Sequence, residues 1–155
     1  QQVRDLSHSL MIIDFRKTHL TAAMERMTSM ASTADLRVSL EADELPRSIP
    51  PQRARAVYNI AREAVTNAMR HSGADSIQVR LRRVEDDLQM QVRDDGSGFH
   101  PGDTTLGDCY GILLMRQRAL ANGLELEIRS QQGRGTVVSC RVPDVLEGDT
   151  GEEAQ

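Results

Sequence analysis

Apolar residues recur along the chain in two periods, and those periods divide it into elements. Val3, Leu6, Leu10, Ile13, Leu20, Met24 and Met27 stand three, four and seven residues apart with charged residues between them. That is the repeat of an amphipathic helix up to about Met30, in one piece or two. The stretch Ser29 to Asp35 loses the repeat, and Leu36, Val38 and Leu40 then alternate with Arg37 and Ser39 as a strand does. A boundary is expected near residue 31. The prolines of "ELPRSIPPQ", residues 44–52, can neither continue a strand nor lie inside a helix, so this is a loop.

A largely buried helix follows, with Val57, Ile60, Ala61, Ala64, Val65, Ala68 and Met69 as its apolar positions and Gly73 suited to cap its end. Ile77, Val79 and Leu81, then Leu88, Met90 and Val92, read as two strands of a hairpin around "RVEDD". "GILLMRQRALANG", Gly111 to Gly123, reads as a helix that Gly111 opens, with Ile112, Met115, Ala119 and Leu120 on one face. Two last strands carry Leu124, Leu126, Ile128 and Val138, Cys140, Val142 inward, joined by "QQGRG". Segregated helices and strands imply an α+β fold, a two-layer α/β sandwich. Its sheet is mixed and mostly antiparallel, with helices on one face and an N-terminal helix before it.

Composition narrows the function. A chain of 155 residues holds one domain with a full core and an appended helix. A net charge of −4 and only four aromatics, none of them Trp, offer neither a basic groove nor a base-stacking platform, so nucleic acid is not an expected partner. Cys109 and Cys140 show no metal spacing and read as reduced thiols of an intracellular protein, Cys140 in the core. No apolar run approaches the roughly 18 residues of a membrane span. The chain begins inside a helical pattern without an initiator Met, which leads us to expect a fragment of a larger protein, such as a membrane protein.

Four stretches carry chemistry. In "NIAREAVTNAMRHSGAD", Glu63, Asn67 and the Arg70/His71 pair fall at i, i+4 and i+7/i+8, a polar stripe on a buried helix that borders either a concave site or solvent. In "VRDDGSGF" the inward position after Leu88, Met90 and Val92 is Asp94. A carboxylate on a core face costs several kcal/mol unless a donor satisfies it; a plain turn with a surface Asp is the competing reading. Gly96 and Gly98 let the backbone turn sharply and approach a bound molecule. In "LGDCYGILLMRQR" the free N–H groups of a helix start suit a phosphate chain. "GRGT", residues 133–136, is a hairpin turn or a close approach to a ligand. Neither GxxxxGK[ST] nor GxGxxG occurs, so phosphates would be held by neither of those arrangements.

The order of these stretches resembles the ATP-binding domain of bacterial sensor histidine kinases, in the GHKL/HATPase superfamily shared with gyrase, the Hsp90 chaperone and the MutL repair protein. "REAVTNAMRHSGAD", "VRDDGSGF", "YGILLMRQRA" and "GRGTVVSCRVP" are most similar to the nitrate/nitrite-sensor type that pairs with LuxR-like response regulators. The match runs from Leu36 to Pro143. It implies a Bergerat-type ATP-binding fold with ATP and Mg²⁺ as cofactors. In that resemblance Asn67 coordinates Mg²⁺, and Glu63 holds a metal-bound or nucleophile-side water. Arg70 contacts phosphate and His71 the sugar or phosphate region. Asp94 accepts the adenine amino group, Gly96 and Gly98 make room for the base, and Gly111 heads a helix at the phosphates. Tyr110 and Ile112 belong to that same segment, and Gly135 with Thr136 closes the adenine side. Ile112 stands where relatives usually carry Leu, and Asp108-Cys109 precede Tyr110 where a His-Tyr pair is common. Residues His100 to Cys109 resemble a short mobile cover over ATP.

The resemblance also divides the chain. Residues 1–30 are similar to the end of the dimerisation and phosphoacceptor domain with its connector, 31–146 are the catalytic domain, and 147–155 form an acidic tail expected to be disordered. The γ-phosphoryl acceptor would be a histidine on the dimerisation domain of the same kinase, for relay to a LuxR-like response regulator. His8 in "RDLSHSL" lacks the Leu-His-Asp context and reads as a helix-surface residue, so the fragment is expected to bind ATP without labelling itself. The parent is expected to be a homodimer and the kinase portion cytoplasmic, while this piece lacks half of a helical hairpin and is expected to be monomeric. The same fold also serves ATPase clamps that use Glu63 to activate water, anti-sigma-type serine kinases, and nucleotide-binding modules without kinase activity.

Overall fold

The computed structural model describes residues 13–46, 49–71, 73–98 and 106–145, with the backbone alone at 71 and 106–109. Val3, Leu6, His8 and Leu10, residues 100–105 of the expected cover and the acidic tail lie outside the described residues. Three helices, α1 (Leu20–Ala31), α2 (Pro51–His71) and α3 (Leu106–Ala121), accompany five strands. The strands are β1 (Arg37–Ala42), β2 (Ser76–Val84), β3 (Asp87–Asp94), β4 (Glu125–Gln131) and β5 (Gly135–Val142). They form a sheet of order β1-β2-β3-β5-β4, with β1 parallel to β2 and the other pairs antiparallel. The α+β sandwich is the expected one.

Side chains decide each boundary. His19 caps α1: its Nδ1 accepts the Thr21 N–H at 3.2 Å, which leaves Nε2 as the donor to the Pro46 carbonyl 2.8 Å away. One ring therefore starts a helix and ties down the proline loop. At the other end Ser32 Oγ meets both the N–H and the carbonyl of Val38 at 2.9 Å, folding the chain from α1 into β1. α2 begins at Pro51, a residue whose fixed φ suits a first turn.

The core lies between the helices and one face of the sheet. Val57, Ile60, Ala61, Ala64, Val65 and Ala68 of α2 meet Ile77, Val79, Leu81, Leu88, Met90, Val92, Val138, Cys140 and Val142 of the strands. The strand alternation is the one read from the sequence. Leu20, Met24 and Met27 of α1 join this cluster, and Phe15 sets its ring 5.6 Å from that of Tyr58. One expectation fails: Leu120 is 84% exposed. It follows Ala119, which is buried, and one further 100° step takes it off the inward stripe of Ile112, Met115 and Ala119. No described helix is long and apolar enough to cross a membrane.

Burial also sets reactivity. Removal from water pushes the Cys140 thiol up to about 12, so almost no thiolate exists near neutral pH. In a Cys109→Ser background, native protein at pH 8 is expected to resist iodoacetamide and to take up one equivalent only in denaturant. Rapid native labelling, read by intact mass, would contradict this packing.

Candidate functional site

α2 presents Glu63 and Asn67 one turn apart, both half-buried, and α3 crosses them at Gly111. A Cβ on Gly111 would lie 2.6 Å from Glu63 Oε1 and 3.3 Å from Asn67 Nδ2. The missing side chain is what lets the helices close with two polar groups in their seam. This corrects the expectation that Gly111 heads its helix: α3 starts at Leu106, and Gly111 lies in the second turn. An interior helical glycine costs about 0.5–1 kcal/mol relative to alanine and persists where another group must come close. The free N–H groups of the helix start therefore belong to residues 106–109, not to Gly111. Gly111→Ala should leave the melting temperature equal or higher and displace Glu63. Melting curves beside Mg²⁺-dependent nucleotide binding would separate the two effects.

Arg70 follows on the same side of α2 and is exposed, and His71 is the last helical residue. Ile112 is half-buried against the core. Tyr110 is not brought into the seam: it is 63% exposed on the outside of α3.

The second part of the site lies where β3 ends. Alternation carries Asp94 to the core side, and it is 7% exposed. Its Oδ1 accepts the Gly96 N–H at 2.9 Å. Burial raises its carboxyl above the usual range, the backbone N–H groups of Gly96 and Thr136 pull it back down, and the charge of Asp95 adds to the rise. Across the ladder Asp94 pairs with Thr136. Gly135 has φ +81, and a Cβ there would overlap the Asp94 carbonyl oxygen and stand 3.3 Å from Oδ1. Gly98, at φ +66, is pressed in the same way against the Gln131 and Gly135 carbonyls. Asp94, Gly96, Gly98, Gly135 and Thr136 thus form one cradle, in which the backbone of the two glycines Gly98 and Gly135 packs closely around a buried carboxylate. α2 packs on both β3 and β5, so the cradle and the Glu63/Asn67 seam share the helix side of the sheet.

Two supporting contacts were not legible in the sequence. Asp95 Oδ1 accepts the N–H groups of Asp75 and Ser76 at 2.9 and 3.0 Å, pinning the glycine-rich loop to the start of β2. The Ser97 carbonyl accepts the Gly133 N–H at 2.5 Å, joining that loop to the β4–β5 turn. Asp95 reads locally as a turn residue, and its role needs the strand register to be seen.

Residues 52–146 match the family described as histidine kinase-, DNA gyrase B-, and HSP90-like ATPase. The chain belongs to that family. Within it, this ATPase-type domain is 32% identical over 120 residues to the nitrate/nitrite sensor protein NarX of Escherichia coli K12, covering 74% of this chain and 20% of NarX. It is 39% identical over 88 residues to the oxygen sensor histidine kinase NreB of Staphylococcus carnosus, covering 56% of this chain and 25% of NreB. Among solved structures, the histidine kinase domain of the Erythrobacter litoralis EL346 blue-light activated histidine kinase superposes with a TM-score of 0.67 at 26% identity. That superposition covers 81% of this chain and 61% of the other. The chain is an ATP-binding domain of the sensor histidine kinase kind, and it spans about a fifth to a quarter of the length of NarX and NreB.

Proposed function

We propose that this domain binds Mg²⁺-ATP with its adenine at Asp94 and its phosphates toward Asn67. The γ-phosphoryl would pass to a histidine on the dimerisation domain of the same kinase and onward to a LuxR-like response regulator. The observation that carries the reading is the buried Asp94 carboxylate, against whose backbone Gly135 packs too closely for any side chain. A carboxylate held this way is an acceptor awaiting a donor, and the exocyclic amino group of adenine is one. Thr136 and Gly98 wall that end. Glu63 and Asn67 supply a sparse oxygen set at the α2–α3 seam, and among the described residues no group of three or more His, Cys, Asp or Glu could hold a metal by itself. Such a set suits Mg²⁺, which keeps several waters and leans on substrate phosphates. The ion would neutralise phosphate charge, Asn67 would fix it, Glu63 would orient a water in its shell, and Arg70 and His71 would lie on the phosphate side. Phosphoryl transfer then depends on positioning and charge neutralisation rather than on covalent chemistry by the protein.

In this reading residues 1–30 are the end of the dimerisation domain and its connector, 31–146 the catalytic domain and 147–155 the tail. α1 seats the connector on the catalytic core through Leu20, Met24 and Met27. The parent is a homodimer whose kinase portion is cytoplasmic.

Asn67→Ala tests the metal role. By calorimetry, ATP without Mg²⁺ should bind wild type and variant alike, and the tightening that Mg²⁺ brings should appear in wild type alone. Transfer of ³²P to a supplied dimerisation domain should fall at least ~10²-fold, the scale of losing one electrostatic stabiliser. Equal Mg²⁺ dependence in both proteins would remove Asn67 from the metal site. Label on His8 of the isolated chain, absent in His8→Ala, would contradict transfer to a separate domain.

A further inference from the structure

Asp94, Thr136 and Ser130 stand in one row across the sheet. Asp94 of β3 pairs with Thr136 of β5, and Thr136 pairs with Ser130 of β4. Residues directly opposite each other share a face, and the next row on that face is Val92, Val138 and Ile128, which pack in the core. All three polar residues therefore lie on the helix side of the sheet. Thr136 has the buried carboxylate on one side and a serine on the other.

Counting protons gives these hydroxyls a direction. Ser130 Oγ lies 3.3 Å from the Gly135 carbonyl oxygen, which can only accept, and 2.8 Å from Thr136 Oγ1. A serine hydroxyl carries one proton. Donated to Gly135, it leaves Ser130 as the acceptor for Thr136, whose own proton then points toward β4 and away from Asp94. Thr136 gives Asp94 its backbone N–H, and its hydroxyl keeps only lone pairs for a group lying over the cradle. We propose that Ser130 is a positioning residue for base recognition, which holds the Thr136 proton away from the Asp94 carboxylate. The cradle then offers acceptors alone, and it selects a purine with an exocyclic amino group over one with an oxo group in the same place. Ser130 has this role on the reading that adenine lies at Asp94. An amino group has a proton for each acceptor, whereas an oxo group meets lone pairs on both sides, and a site built to receive a donor rejects its absence. Without Ser130 the Thr136 hydroxyl is free to turn. It would donate to Asp94, whose Cβ lies about 5 Å away across the strand pair, and compete with the amino group, or donate to the oxo oxygen and favour the other base.

The probes are ATP and inosine triphosphate, which carry an amino and an oxo group at the same ring carbon. Both are titrated calorimetrically with Mg²⁺ against the full chain, and wild type should prefer ATP. Ser130→Ala should narrow that preference by roughly 2- to 12-fold, the range of one neutral hydrogen bond, with an unchanged circular dichroism spectrum. Ser130→Thr, which keeps a hydroxyl, should restore it. Thr136→Val removes the positioned hydroxyl itself and should narrow the preference to the same extent. Adding Ser130→Ala to Thr136→Val should then change nothing further, because Ser130 acts through Thr136. An unchanged preference in Ser130→Ala, an equal loss of affinity for both nucleotides, or a further narrowing in the double variant would overturn the role of Ser130 and leave the adenine site standing. Should Ser130→Ala not fold, an unchanged preference in Thr136→Val would overturn it equally. A folded wild type that binds no ATP would instead overturn the adenine reading, and the role of Ser130 with it.

Discussion

Asp94→Asn is expected to abolish most ATP binding while making the empty protein more stable. Gly96 N–H holds Oδ1, so in the asparagine the remaining position becomes an amino group facing the adenine amino group, donor against donor. Hydrogen bonds to charged groups contribute about 1.5–3 kcal/mol, which corresponds to binding weaker by roughly 10- to 150-fold. The stability effect has the opposite sign. The folded protein holds the Asp94 proton more tightly than the ordinary value of 3.8, chiefly because the carboxyl is buried. Stability from this group is therefore fully present below the unfolded value and is lost as pH rises through the folded one. At neutral pH wild type bears that cost and asparagine does not. Melting curves should show the variant higher at pH 7 and the two proteins converging toward pH 3, with calorimetry on the same samples showing ATP binding lost. A variant that melts lower at pH 7 would mean that Asp94 is a structural acceptor and not a ligand group held at a cost.

Gly135→Ala should be the most damaging single-methyl substitution in the cradle. At φ +81 any side chain is strained, and the Cβ would overlap the Asp94 backbone oxygen, which cannot swing aside as a flexible side chain can. Left-handed backbone costs about 1–2 kcal/mol for a non-glycine residue, and the clash should bring the total to about 3 kcal/mol, lowering the melting temperature by about 10 °C. Because the strain falls on the Asp94–Thr136 pair, nucleotide binding should fall too, even at temperatures where the variant is folded. Gly133→Ala is the control. Its φ is +83, but nothing lies within 4 Å of its Cβ, so only the backbone cost of about 1 kcal/mol remains. Similar losses in the two variants, measured by thermal and urea denaturation, would show that the close approach to Asp94 carries no weight.

The cradle and the helix seam differ in how far the chain itself announces them. Period-two alternation along Leu88, Met90, Val92 and Asp94 is a local property, because successive side chains of a strand must point to opposite faces. A carboxylate arriving at an inward position was therefore visible before any fold was known. The i, i+4 placement of Glu63 and Asn67 is equally local, and so is the buried stripe of α2. The family pattern of these residues in order made the fold class readable as well.

Other features depend on which segments become neighbours, and no short-range rule carries that information. Gly111 looks like a helix start by itself. It is an interior residue because Glu63 and Asn67 occupy the space its side chain would take. Asp95 looks like a turn residue until β2 is laid beside β3 and presents two free N–H groups to it. Leu120 continues an apolar pattern, yet the 3.6-residue repeat and the position of the sheet turn it outward. The amino-acid order by itself thus determined the elements, their buried faces and the candidate chemical groups, because these follow from local geometry and hydrophobic period. Which glycines make room, which carboxylate pins a loop and which apolar face stays open were decided only by tertiary packing, where space and donors are shared between residues far apart in the chain.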